Sequence, residues 1–167
     1  MQRNKRLLNK LVSILIIIAH MEHIGYLLAD NSRLARWTFD RQVRDIGVTG
    51  PQARLLLVLS RAPGETQAYY AERLEVEPIT LCRMVDRLEE AELVERRACE
   101  ADRRARRLHL TTKSRRMVEQ LQNKVEAMVD DMLAGLSAAE REEFARLLTI
   151  VGGNLSATRD LARAGNG

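Results

Sequence analysis

Aromatic side chains are scarce: one Trp, three Tyr and two Phe among 167 residues. Platforms that bind single-stranded nucleic acid by stacking need several exposed rings, so that class is disfavoured. Cysteine is scarcer still. The two present, Cys82 and Cys99, make no CxxC and no metal-ligand spacing, which argues against a disulfide framework and fits a reducing cytoplasm. Missing altogether are G-x-S-x-G, a Walker loop, a dinucleotide glycine pattern and a His/Cys/Asp cluster with catalytic spacing. The expectation is therefore a protein that is not an enzyme and carries no cofactor. His20 and His23 stand three apart, as helical metal ligands can, but no third ligand accompanies them, so no metal is expected either.

Long apolar runs are lacking too. The stretch from Leu11 to Ala19 is well short of the roughly 20 residues that cross a bilayer. It has no A-x-A-like cleavage site and is interrupted by His20, Glu22 and His23, so neither a membrane span nor export is expected. Met21 as the true start, or an extra helix packing in a dimer, are the two readings of the first twenty residues.

Positive charge, by contrast, is concentrated. The chain carries a formal +4, yet Val94 to Arg116 alone holds nine Lys/Arg against three Asp/Glu, leaving −2 for the remainder. Within "CEADRRARRLHLTT", four of the five residues from Arg103 to Arg107 are arginine. A basic patch on a near-neutral body is the footprint of a protein that grips nucleic acid. A solvated turn is the plain alternative for any charge run taken alone, so the surrounding pattern has to decide.

Ile24 to about Ile46 reads as a helix, ended by "GVTGP". Thr49 with Gln52 has capping-box spacing before "QARLLLVLSRA", a helix apolar nearly all round and hence central. "APGET" is a turn, with Thr66 capping the short helix "QAYYAERL". Pro78 suits the first position of the next helix. There Leu81, Met84, Val85 and Leu88 share one face, and Thr80, Arg83, Asp86 and Arg87 the opposite one. The period then changes: Val94–Cys99 and Arg107–Thr111 read as strands of a hairpin with the arginine-rich turn between them. Lys113 to about Leu133 is helical, with a seam of Val118, Leu121, Val125, Met128 and Met132. Ser137 and Glu140 form a second capping box, before a last helix with Phe144, Leu147, Leu148, Val151 and Leu155 on one face and Gly152–Gly153 as a point of weakness. Trp37, Tyr69 and Tyr70 are expected to pack in or beside the core, and Met117 to join the seam.

This order is mainly α with a small β-hairpin wing: a winged helix-turn-helix with N- and C-terminal dimerisation helices. The expected divisions are an apolar extension at 1–21, a dimerisation helix at 22–48, the winged lobe at 49–112, C-terminal dimerisation helices at 113–163 and a frayed tail at 164–167. A helix fits the major groove of B-DNA, where outward side chains read base edges. Thr80 and Arg83 suit base contact, Arg87 suits a phosphate, and an arginine-tipped hairpin suits the adjacent minor groove.

In "TLCRMVDRLEEAELVER" and "CEADRRARRLHLTTK" the sequence resembles the MarR family of transcription regulators, and within it the SlyA branch. The resemblance covers roughly residues 24–157. It implies a recognition helix carrying Thr80, Cys82, Arg83 and Arg87, and a wing carrying Asp102, Arg103, Arg104 and Arg106. In that wing Arg104 would enter the minor groove and Asp102 would hold it. It also implies a homodimer on double-stranded DNA, with a pseudo-palindromic operator and half-sites roughly 34 Å apart, under the control of a small phenolic or anionic ligand whose pocket residues the sequence does not name. Two departures are Glu75 and Glu92, where relatives usually carry glycine; the turns are expected to adapt there. Arg83 with Asp86, or Arg87 with Glu90, could pair along the helix surface. Oxidation of Cys82 would disturb DNA contact, although no resolving cysteine is near; Cys99 reads as a packing residue. The competing functional reading is an architectural or adaptor protein that uses the wing without reading sequence.

Overall fold

Apolar residues at helical spacing and side-chain caps at the helix starts lay down most of this chain. The computed structural model describes residues 23–98 and 106–164. Helix α1 runs over residues 23–42 and gives way to a 3-10 turn, Arg44–Ile46, so the regular helix stops short of the expected Ile46. Then follow α2 (Gly50–Arg61), α3 (Gln67–Arg73), α4 (Pro78–Glu90), β1 (Val94–Ala98), β2 (Arg106–Leu110), α5 (Thr112–Met132) and α6 (Ala138–Ala164). The chain divides into two compact units, one ending at Val125 and the other beginning at Glu126.

The caps lie where the sequence places them. The Thr49 N–H donates to Gln52 Oε1 at 2.9 Å, and the Gln52 N–H donates to Thr49 Oγ1 at 3.4 Å. Ser137 and Glu140 repeat that exchange at the start of α6, and the Ser137 hydroxyl, followed by its N–H, lowers the Glu140 pKa by donating to the carboxylate. Thr66 Oγ1 accepts from the Tyr69 N–H at the start of α3. Each cap satisfies helix N–H groups that have no intrahelical partner, an effect of about 1 kcal/mol.

In the first unit, Leu55, Leu56 and Leu59 of α2, Leu81, Val85 and Leu88 of α4, Leu108 of β2 and Leu121 of α5 are all buried. Burying such a side chain stabilises by about 1.5–3 kcal/mol. A salt bridge of 2.8 Å from Lys124 of α5 to Asp45 fixes the 3-10 turn and lowers the Asp45 pKa through that hydrogen bond. Asp40 of α1 reaches Arg54 of α2 at 2.6 Å. Its carboxylate lies over Gly50, where an added Cβ would come within 1.9 Å of Asp40 Oδ1.

β1 and β2 pair antiparallel, Val94 opposite Leu110 and Ala98 opposite Arg106. The α2–α3 turn adds a third edge that the sequence reading treats only as a turn. The Gly64 N–H donates to the Leu108 carbonyl at 2.9 Å, and the Leu108 N–H donates to the Glu65 carbonyl at 3.1 Å. Tyr70 ties this turn down from beneath. Its buried hydroxyl donates to the Ala62 carbonyl at 2.6 Å and accepts from the Glu65 N–H at 3.1 Å. Burial raises the Tyr70 pKa, which keeps the hydroxyl a donor.

The ends of α3 and α4 correct one expectation. The turns do not adapt to glutamate: Glu75 and Glu92 keep left-handed backbones, with φ of 54° and 60°. Both ends are Schellman motifs. The Val76 N–H donates to the Ala71 carbonyl and the Glu75 N–H to that of Glu72. In the same way Leu93 donates to Leu88 and Glu92 to Glu89. These paired bonds satisfy carbonyls that would otherwise be left open, and they hold the backbone left-handed whatever the side chain.

Other expectations divide. Tyr70 is in the core and packs edge-on against Tyr69, their ring centroids 5.3 Å apart. Trp37 is not a core residue; it is 55% exposed, with the Arg41 guanidinium 4.8 Å above its ring. Along the α5 seam Val118, Leu121 and Met128 are buried, but Met132 is 53% exposed. α6 continues unbroken through Gly152 and Gly153, and Phe144, Leu147, Leu148, Val151 and Leu155 on it remain exposed.

Two stability predictions follow from these contacts. Tyr70→Phe strands the Glu65 N–H and the Ala62 carbonyl and should cost about 1–3 kcal/mol in urea unfolding. Because the folded-state pKa is raised, the tyrosine's contribution is complete below its unfolded pKa of about 10 and is lost as pH rises through the folded value. The variant should therefore unfold with a shallower decline in stability above that pH than the wild type. Glu75→Gly should raise stability by about 0.5–1 kcal/mol by removing the left-handed Cβ penalty. It should shift the urea midpoint upward without changing the slope.

Candidate nucleic-acid interface

The reading helix is α4, and its two faces differ in kind. Leu81, Met84, Val85 and Leu88 are buried, while Thr80, Arg83 and Arg87 are exposed and Cys82 is half-buried. Pro78 stands in the first turn, where its missing N–H costs nothing. Ile79 is 61% exposed, an apolar side chain left on the surface. The sequence reading passed over it, although Ile79, Arg83 and Arg87 recur every four residues and so share a stripe.

The helix-surface pairs do not form. Among the described residues Arg83 and Arg87 have no carboxylate partner: Asp86, three residues from Arg83, is held by Arg96 of β1, and Glu90 does not pair with Arg87. The Arg96 guanidinium donates to Asp86 Oδ1 at 2.5 Å and, through its other terminal nitrogen, to Glu89 Oε2. Its backbone N–H adds a bond to Glu89 Oε1 at 3.2 Å. Partial burial works against the charge of this guanidinium, but the bonds from Asp86 and Glu89 outweigh it and raise the Arg96 pKa. The Cys82 thiol also faces Asp86, with Sγ 3.9 Å from Oδ2.

The end of α4 is clamped from the start of α5. Lys113 Nζ donates to the Ala91 carbonyl at 3.0 Å and pairs with Glu92 at 3.1 Å. Thr111 Oγ1 donates to the Glu92 carbonyl at 2.6 Å. A cation here also complements the negative end of the helix dipole. The "LTTK" stretch thus fastens the reading helix from behind.

In the wing, Arg106 is exposed at the start of β2. Asp102, Arg103 and Arg104 lie outside the described residues, and so does Cys99. Arg107 is an internal strut, its guanidinium donating to the Gly64 carbonyl at 2.6 Å. Arg96, Arg107 and Lys113 therefore show that part of the basic stretch fastens the lobe together. Sequence counting weighs all nine cations alike, since spacing alone does not reveal which carbonyl or carboxylate each meets.

Among the described residues no group of three His, Cys, Asp or Glu side chains could hold a metal ion, and no helix is long and apolar enough to cross a membrane. With the geometry in hand, comparison with known proteins is direct. The MarR family model matches residues 46–105, from the 3-10 turn into the wing. The transcriptional regulator PA3341 is 32% identical, with a TM-score of 0.72 over 80% of this chain and 98% of that one. MarR from E. coli in its apo form is 25% identical, with a TM-score of 0.69 over 76% and 94%. The Mycobacterium tuberculosis MarR family protein Rv2887, in complex with p-aminosalicylic acid, is 29% identical, with a TM-score of 0.66 over 77% and 97%. A matched reading lobe, a shared winged helix-turn-helix and a relative spanned almost end to end converge: the chain belongs to the MarR family of transcriptional regulators, DNA-binding proteins rather than enzymes.

Proposed function

We propose that the protein is a homodimeric, sequence-specific regulator that lays α4 into the major groove of a pseudo-palindromic operator. The observation that carries this reading is the exposed stripe of Thr80, Arg83 and Arg87 with its guanidiniums unpaired among the described residues. Arg83 can hydrogen-bond guanine in a bidentate way, and Thr80 and Ile79 can meet bases and thymine methyl groups near the helix start. Arg87, one turn further on, contacts phosphate. Arg106 and the wing residues Arg103 and Arg104 anchor the neighbouring minor groove, with Asp102 positioning Arg104. Cys82 borders the same surface.

Homodimerisation is supported by the uncovered apolar face of α6, from Phe144 to Leu155, a surface that monomeric soluble proteins rarely leave open. We further infer a place in the SlyA branch from the recognition-helix stretch around Arg83; the SlyA structure, 22% identical, supports the shared fold alone. Control by a small phenolic or anionic ligand is the reading that Rv2887, in complex with p-aminosalicylic acid, supports. Such a ligand would release DNA by binding better to a conformation unsuited to the operator. A cytoplasmic location accords with binding to DNA.

The test is a salt titration of binding to the intergenic DNA beside the protein's own gene, against a scrambled duplex of equal length. Much tighter binding to the native segment at near-physiological salt supports the reading. Equal, steeply salt-dependent binding to both would favour an architectural or adaptor protein instead. Arg83→Ala should cost about 1–3 kcal/mol on the native segment and relax sequence preference. Arg106→Ala should weaken both duplexes alike and lower the salt slope by about one.

A further inference from the structure

The reading face of α4 carries its own competitors. Asp86 lies three residues from Arg83 and next to Arg87, and the spacing of three is the one at which acids and bases pair on a helix. An exposed arginine three residues before an exposed carboxylate would ordinarily settle on it. Arg83 does not, and the acid is held instead by an arginine from another element. Arg96 is only 18% exposed at its side chain, against 60% for neighbouring Arg97, so it is turned inward from the wing. Its planar fork engages two carboxylates one turn apart on α4, Asp86 and Glu89, and its own N–H reaches Glu89 as well.

We propose that Arg96 is a positioning residue for DNA reading: by occupying Asp86 it keeps Arg83 unpaired, and by holding Asp86 and Glu89 together it fixes β1 to the reading helix. It touches no DNA in this account, since both its terminal nitrogens are occupied within the lobe. Its effect is exerted through the arginine it leaves free. Its single positive charge also offsets one of the two acid charges beside the reading face. The geometry asks for a guanidinium, because a lysine ammonium is a point donor that cannot fork across both acids. The inference rests on the reading of α4 as the DNA-contacting helix.

The experiment compares wild type, Arg96→Met, Arg96→Lys and the triple variant Arg96→Met/Asp86→Asn/Glu89→Gln, each full length and each checked for fold by circular dichroism. The readouts are the affinity ratio of operator to scrambled duplex and the slope of log affinity against log salt. Arg96→Met should lower the ratio about tenfold, the scale of one lost base contact. Its salt slope should shrink by about one, as an arginine settles on Asp86. The triple variant, which leaves Arg83 no acid within helical reach, should recover both. Arg96→Lys should fall between wild type and Arg96→Met, and it carries the test if the methionine variant does not fold. A purely structural role would lower the melting temperature while leaving ratio and slope of the folded fraction unchanged in both single variants; that result overturns the proposal. So does a triple variant that recovers neither. If wild type itself fails to discriminate the operator, the fault lies in the reading of α4, and the positioning role falls with it.

Discussion

At the end of α4 the chain must turn back into β1 within a few residues, and the geometry of that turn governs the rest of the lobe. Glu92 at φ 60° makes the reversal, its own N–H and that of Leu93 close the two Schellman bonds, and Thr111 and Lys113 hold the exposed carbonyls from the following segment. The consequence is directional. Leu88 and Leu93 are carried into the core, the hairpin leaves at a fixed angle, and the stripe bearing Thr80, Arg83 and Arg87 is presented outward. A helix with the same sequence but a loose end would still be amphipathic, yet the wing would have no defined place beside it.

Electrostatics in this lobe are arranged by allocation. The basic stretch supplies a strut to the α2–α3 turn through Arg107, a brace to α4 through Arg96 and a helix-end clamp through Lys113. Arg83, Arg87 and Arg106 have no such internal duty among the described residues. For Arg96 and Arg107 the duty goes with partial burial, since a charge drawn from water without partners is costly; Lys113 clamps the helix end while staying exposed.

Much of this was legible from residue spacing. The capping boxes at Thr49 and Ser137, the two faces of α4 and the hairpin followed from local rules, because caps, helix faces and strand alternation depend on residues two to four apart. What escaped were relations between elements. The Arg96 brace, the Gly64–Leu108 pairing and the Tyr70 hydroxyl beneath the turn join elements that periodicity treats separately. Trp37 misled because an aromatic residue on an apolar stripe looks buried, whereas α1 leaves that ring to Arg41 and solvent. The glutamates at 75 and 92 misled differently. Local preference argued for a changed turn, but the flanking hydrogen bonds outweigh a penalty of about 1 kcal/mol.

The close approach of Asp40 to Gly50 also bears on how this sequence can change over time. No side chain fits at position 50 while Asp40 holds Arg54, because the new Cβ would collide with the carboxylate itself. The two sites are therefore epistatic. A descendant can reach alanine at 50 by shortening residue 40 or by swinging the Asp40 carboxylate aside, and either route gives up the Arg54 bridge as it stands. Homologues with a Cβ at the first turn of α2 should accordingly carry a small residue at the end of α1, a covariation readable from sequence alone.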